Sequence, residues 1–217
     1  MTSPFDLAAE LGVVPVIAID NAAHAIPLAD ALLEGGLPIA EITFRTSAAA
    51  EVIARIARDR PRMLVGAGTI LDRASLDAAR ESGARFGLAP GFDSEIVSTA
   101  AARAFPFAPG VMTPTDLTAA TRHGARMLKF FPAGSAGGPS ALTAIAAPFA
   151  HLDAKFIPTG GITEQTIGDW LKLPSVAAVG GTWIACQEDI RAERWDHIAA
   201  LARRAVEAAR AARGASR

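Results

Sequence analysis

Short apolar or β-branched runs recur along the chain at 13–19, 39–44, 63–65, 86–89, 105–108, 127–130, 156–158 and 176–179. They begin roughly 20 to 29 residues apart, the repeat expected when each strand is followed by one crossover helix. Between them lie alanine-rich stretches in which Leu, Ile and Ala return at helical spacing, over 22–34, 48–58, 75–82, 94–102, 115–123, 140–147 and 164–171. Asp72, Asp93, Thr113 and Thr163 are placed to cap helix starts, with Pro114 at a first helical position. Gly35, Gly83 and Gly124 are placed to end helices in the left-handed conformation. Residues 4–11 predict a leading helix, and the Arg- and Ala-rich stretch 191–217 predicts an amphipathic helix fraying at Gly214, its charges on a solvated face.

Strands buried on both faces read as continuous apolar runs. Eight such strands with alternating helices close most simply as one α/β domain over 1–217, a (β/α)8 barrel of the TIM type with an N-terminal capping helix. The rival is an open doubly wound sheet. It is weakened because Asp20 and Asn21 follow the first strand where a Gly-x-Gly-x-x-Gly turn would stand.

Composition narrows the classes. The chain has 217 residues, 51% of them hydrophobic and 20% charged, with a formal net charge of -1 that argues against a nucleic-acid surface yet leaves room for a local anion pocket. A lone cysteine, Cys186, excludes an intramolecular disulfide and is read as structural. Residues 1–6 lack the basic and apolar regions of a secretory signal, and the uncharged stretch 132–150 is broken by Gly134, Gly137, Gly138, Pro139 and Pro148. A cytoplasmic protein without membrane or nucleic-acid partners is expected. His24, His123, His151 and His197 are scattered without metal-ligand pairing and read as surface residues, so no metal and no cofactor is implied.

Lysine is scarce: Lys129, Lys155 and Lys172 are the whole set, and the other cations are arginines, which cannot act as nucleophiles. Lys155 and Lys172 sit at strand entrances, whereas Lys129 sits near an exit, inside Met127-Leu-Lys-Phe-Phe-Pro132. Burial disfavours the ammonium form, so such a lysine can present the free amine that attacks a carbonyl carbon. The alternative is a stem that packs while its head reaches water. Strand alternation groups Glu41, Thr43 and Arg45 on one face and the apolar Ala40, Ile42 and Phe44 on the other. The first set then points into the barrel, towards Met127, Lys129 and Phe131. Glu41 is therefore either a proton-transfer group for Lys129 or half of a buried ion pair.

A second constellation is glycine-rich: Thr159-Gly160-Gly161 after the seventh run and Gly180-Gly181-Thr182 after the eighth, the loops where phosphate-binding barrels hold their anion. Tight turns are the other explanation for these glycines. Gly66 to Thr69 brings Thr69 to the mouth, or serves as a helix-start turn.

Together, Glu41-Ile-Thr-Phe-Arg45, Gly66-Ala-Gly-Thr69, Ala89-Pro-Gly91, Lys129-Phe-Phe-Pro132, Pro158-Thr-Gly-Gly161 and Gly180-Gly-Thr-Trp183 closely resemble the 2-keto-3-deoxy-6-phosphogluconate (KDPG) aldolase family, including its 4-hydroxy-2-oxoglutarate (KHG) members. The resemblance covers nearly the whole chain. It implies that Lys129 forms a Schiff base, that Glu41 is the general acid/base, and that Arg45 and Thr69 hold the carboxylate end of pyruvate. It further implies that Pro90 and Phe131 line the pocket, that Gly160, Gly161, Gly180, Gly181 and Thr182 receive a phosphate, and that the chain assembles as a homotrimer. The implied reaction is reversible, metal-independent cleavage of KDPG to pyruvate and glyceraldehyde 3-phosphate. KHG or the galactonate epimer is the alternative substrate, with oxaloacetate decarboxylation as a side activity. A noncatalytic phosphosugar binder is the reading from another class. Thr182, Phe44, Gly134 and Ser135 stand where many relatives carry Ser, Leu, Glu and Ala, so substrate identity is less determined than reaction type.

Overall fold

The computed structural model describes residues 3–214; residues 1 and 2 of the N-terminal stretch and 215–217 of the basic tail lie outside the described residues. The chain runs α1 (Pro4–Leu11), β1 (Val13–Ile17), α2 (Ala25–Glu34), β2 (Ile39–Thr43), α3 (Ala49–Asp59), β3 (Leu64–Gly68), α4 (Arg73–Glu81) and β4 (Gly87–Leu88). It continues through α5 (Ser94–Ala102), β5 (Phe107–Ala108), β6 (Gly110–Val111), α6 (Pro114–Arg122), β7 (Met127–Phe130), α7 (Gly138–Ala146) and β8 (Lys155–Pro158). It closes with α8 (Ile167–Leu171), β9 (Val179–Gly181), α9 (Gln187–Arg191) and α10 (Trp195–Gly214).

All strand pairs are parallel. One sheet of six runs β5-β4-β3-β2-β1-β9 and a second of three runs β6-β7-β8. The fifth apolar run, 105–108, holds β5, and a further short strand, β6, follows just beyond it where none was expected. Pro109 lies between them, and a proline has no N–H to carry the ladder through. At the other border, isolated parallel bridges join Phe156 to Val176 and Thr159 to Gly180.

The helices pack as their sequences dictate. In α3, Val52, Ile53 and Ile56 are buried while Glu51 and Arg55 pair on the solvent face. Helix α10 buries Ile198, Leu201, Ala202, Ala205, Val206 and Ala209 and packs against α2 and α8, so only its outer face is solvated, and it stays helical to Gly214. Helix α1 sets Phe5 edge-on to Phe86, 5.7 Å between ring centres, just before β4, and so covers the N-terminal strand ends. No helix among the described residues is long and apolar enough to cross a membrane.

Asp72, Asp93 and Thr113 cap α4, α5 and α6 with side-chain acceptors, and Pro114 opens α6. Two expectations shift. Thr163 caps no helix: its N–H donates to the Thr166 hydroxyl in a turn, and α8 starts at Ile167 after Thr166. Gly35 ends α2 in the right-handed conformation, its missing Cβ leaving room for Ala202 and the Ala199 carbonyl of α10, and the left-handed turn falls to Gly36 at φ 74°. Helix α9 was not foreseen; its sequence, Gln-Glu-Asp-Ile-Arg, is too short and polar to show an apolar period.

Candidate active site

Alternation along β2 sends Glu41 and Thr43 to the interior, and alternation along β7 does the same for Lys129. These strands are not neighbours: Glu41 lies level with Val16 and Gly66, Lys129 level with Gly110 and Ile157. Their side chains meet across the interior, Lys129 Nζ donating to Glu41 Oε1 at 2.9 Å. Lys129 is 4% exposed and Glu41 0%, so the reading in which the lysine head reaches water does not hold. The ion pair anticipated as the alternative for Glu41 is present. Removing one member of such a buried pair typically costs about 3–5 kcal/mol, whereas a well-packed apolar replacement of both is often neutral. Stability alone therefore gives little reason to keep it.

The pair is enclosed by small and aromatic neighbours. A Cβ on Gly68 would overlap Glu41 Oε1, so glycine is what leaves the carboxylate its place. Replacing Gly68 by alanine is expected to lower the thermal unfolding midpoint, since overpacking a core costs about 1–3 kcal/mol; an unchanged midpoint would mean that Glu41 has other room. The Phe131 ring centre lies 5.9 Å from Nζ on another side. Glu41 Oε2 is buried with no protein partner, an acceptor held in reserve.

Beside Lys129 a cavity of about 190 Å³ opens. Arg45, Thr69, Pro90, Lys129, Phe131, Gly160 and Thr182 line it, together with Val16, Thr43 and Thr159. Arg45, Thr69, Phe131, Gly160 and Thr182 lie at or just beyond the C-terminal ends of β2, β3, β7, β8 and β9, the end where (β/α) enzymes place their chemistry. Thr69 holds φ at 59°, a left-handed conformation that is an outlier for a β-branched residue and costs of order 1–3 kcal/mol; such outliers cluster at functional sites.

Gly161, Gly180 and Gly181 are outside that lining. A Cβ on Gly180 would overlap the Thr159 hydroxyl, one on Gly181 would press on the Trp183 ring at 2.5 Å, and Gly161 needs its φ of 73°. Val16 is a lining residue that the sequence did not mark, and Thr159, marked there beside its glycines, had no role of its own. Val16 was hidden because its level with Glu41 depends on strand register; Thr159 stood in plain view between Pro158 and Gly160, where the glycines drew the argument.

The remaining candidates lie elsewhere. Lys155 is exposed at the start of β8 and donates to the Pro174 carbonyl, and Lys172 is exposed beside Asp169. His123, His151 and His197 are exposed as expected, but His24 is not a surface residue: its side chain is 14% exposed, packed edge-on to Trp195 with Nδ1 buried. Cys186 donates to Asp189, and burial first, then that hydrogen bond, pushes its thiol up, consistent with a structural role.

The family model "Aldolase: KDPG and KHG aldolase" matches residues 6–201. A 2-dehydro-3-deoxy-phosphogluconate aldolase of Pseudomonas aeruginosa is 40% identical over 201 residues, 93% of this chain and 90% of that one. The KHG/KDPG aldolase of Escherichia coli K12 is 40% identical over 198 residues, covering 91% of this chain and 92% of its own. Among solved structures, the KDPG aldolase of Legionella pneumophila, with pyruvate captured at low pH as a covalent carbinolamine intermediate, superposes with a TM-score of 0.88 at 37% identity, covering 93% of this chain and 97% of that one.

Proposed function

The chain belongs to the KDPG and KHG aldolase family, and we propose that it is a class I aldolase that reversibly cleaves KDPG to pyruvate and glyceraldehyde 3-phosphate with Lys129 as nucleophile and Glu41 as general acid/base. The observation that carries this reading is the buried contact of 2.9 Å between Lys129 Nζ and Glu41 Oε1, made where Lys129 lines the cavity.

The chemistry follows from that contact. An ammonium has no lone pair, and Glu41 stands where it can take the proton that frees one. The amine attacks the C2 carbonyl of the ketoacid, forming a carbinolamine. Protonation of its hydroxyl by Glu41, directly or through water, expels water and leaves an iminium. That cation is the electron sink, so a metal is not needed to polarise the carbonyl. When Glu41 accepts the C4 hydroxyl proton, the C3–C4 electron pair moves towards nitrogen, the aldehyde leaves and an enamine of pyruvate remains on Lys129. Protonation at C3 and hydrolysis return the free enzyme and pyruvate.

Around this pair we assign Arg45 and Thr69 to the carboxylate, Arg45 through its planar fork, with Pro90 and Phe131 as the apolar walls. Gly160, Gly161, Gly180, Gly181 and Thr182 receive the phosphate. Gly160 and Thr182 line the cavity directly, while the other three shape the two loops. We read the two sheets as one closed (β/α)8 barrel in a single domain. Two features support closure: the bridges Phe156–Val176 and Thr159–Gly180 at one border, and the single residue Pro109 at the other. We further assign a cytoplasmic homotrimer, for which the exposed Leu71 and Met112 supply apolar surface to cover.

Substrate comparison tests the assignment. With an anion seat beside Gly160 and Thr182, kcat/KM for KDPG is expected to exceed that for its unphosphorylated analogue by about a hundredfold or more, since charge-assisted contacts to phosphate are strong. Pyruvate release measured on KDPG, the galactonate epimer, KHG and the unphosphorylated analogue decides the matter. Equal rates with and without phosphate remove the phosphate seat and favour KHG; no cleavage of any ketoacid removes the aldolase.

A further inference from the structure

We infer that Thr43 is the residue that aims Arg45, a positioning role carried by a single hydroxyl between two strands. Thr43 ends β2 and is buried at 1% exposure. Its Oγ1 donates to the Ile17 carbonyl of β1 at 3.0 Å. The same oxygen accepts from Arg45 Nε at 3.1 Å. A hydroxyl has one proton to give and lone pairs to receive, so the donation to β1 fixes the proton and leaves the acceptor side turned to the arginine.

Among the described residues, that hydrogen bond from Nε is the one Arg45 makes, and the terminal Nη1 and Nη2 have no protein partner. Arg45 lines the cavity and lies just beyond the end of β2, past the bond from the Phe44 N–H to the Gly68 carbonyl. A long side chain in that position loses freedom when it binds a ligand unless something has already ordered it. Thr43 does this: anchored by backbone at Ile17, it holds the guanidinium by one edge and leaves the opposite edge, the two terminal nitrogens, for a planar carboxylate. Valine matches threonine in shape and strand preference but has no acceptor, so the substitution isolates the hydrogen bond.

This inference rests on the assignment of Arg45 to the substrate carboxylate, and the test separates the two. Borohydride trapping of pyruvate is followed against pyruvate concentration in the wild type, Thr43→Val, Thr43→Ser, Arg45→Leu and the double variant Thr43→Val/Arg45→Leu, each checked for folding by circular dichroism and thermal melting. Arg45→Leu is expected to raise the half-saturating pyruvate about a hundredfold, and Thr43→Val about tenfold, in line with losing one hydrogen bond to a charged group. The limiting trapping rate should change little, because the carboxylate is held alike before and during the reaction. Thr43→Ser should return to within about twofold of wild type, and Thr43→Val should add nothing once Arg45 is gone. If Arg45→Leu leaves half-saturation unchanged, the carboxylate assignment falls and takes this inference with it. If Arg45→Leu weakens binding but Thr43→Val does not, or serine fails to rescue, Thr43 does not aim Arg45. If Thr43→Val weakens binding further in the Arg45→Leu background, Thr43 touches the ligand itself and the positioning role is overturned.

Discussion

Replacing Lys129 by alanine is expected to abolish both covalent capture of pyruvate and aldol cleavage, with turnover falling by about ten-thousandfold or more, the scale on which enzymes lose activity when a covalent nucleophile is deleted. In the wild type, borohydride should fix one pyruvate per chain, and peptide mapping should place it on Lys129. The expectation is strong because the competing amines are poorly placed: Lys155 is exposed at the strand entrance of β8 and Lys172 follows α8 beside Asp169. A label on either would overturn the site. Loss of activity alone is not enough, since Lys129→Ala leaves the buried Glu41 without its partner, a change that can destabilise by about 3–5 kcal/mol. Lys129→Met keeps the volume of the stem and, combined with Glu41→Gln, removes the amine without leaving a buried carboxylate unpaired. The double variant should melt cooperatively and still fail to trap pyruvate. Residual trapping by the folded double variant would show that the imine forms elsewhere.

Much of this site could be read from the chain because strand alternation is a rigid rule. Placing Glu41, Thr43 and Arg45 on one face follows from the apolar character of Ala40, Ile42 and Phe44, and the contacts agree, with Glu41 meeting Lys129 and with Thr43 and Arg45 lining the cavity. The helix starts at Asp72, Asp93 and Thr113 were legible for the same kind of reason: a cap is a local hydrogen bond between residues three apart. What escaped depends on contacts between distant segments. Gly35 ends α2 as its place suggested, but right-handed, and the need for glycine there comes from Ala199 and Ala202, far along the chain in α10. His24 looked like a surface histidine until Trp195 covered it. Gly68 read as part of a turn motif, and only the placement of Glu41 shows that its missing side chain is what the carboxylate occupies. The chain passes from β5 to β6 across Pro109, a break that no apolar count registers because the residues on either side are apolar or small.

Glu41→Gln is expected to lower aldol turnover by about a hundredfold to ten-thousandfold, the usual contribution of a positioned proton-transfer group, while the pyruvate concentration for half-maximal capture changes little. Glutamine keeps the shape of the side chain and an oxygen that can accept from Lys129 Nζ, so packing against Gly68 is preserved. What it lacks is a carboxyl able to take and return a proton. Two steps should suffer together. Dehydration of the carbinolamine slows, so borohydride labels the protein more slowly at saturating pyruvate, and abstraction of the C4 hydroxyl proton slows, so cleavage falls further than labelling. Exchange of the pyruvate methyl hydrogens with deuterated solvent, followed by NMR, reports the enamine step separately and should slow as well. Undiminished cleavage in Glu41→Gln would reduce Glu41 to a structural partner of Lys129. In that event Glu41 Oε2, buried without a protein partner, would need some other explanation. A selective loss, with half-saturation retained, ties proton transfer to the one carboxylate that touches the amine.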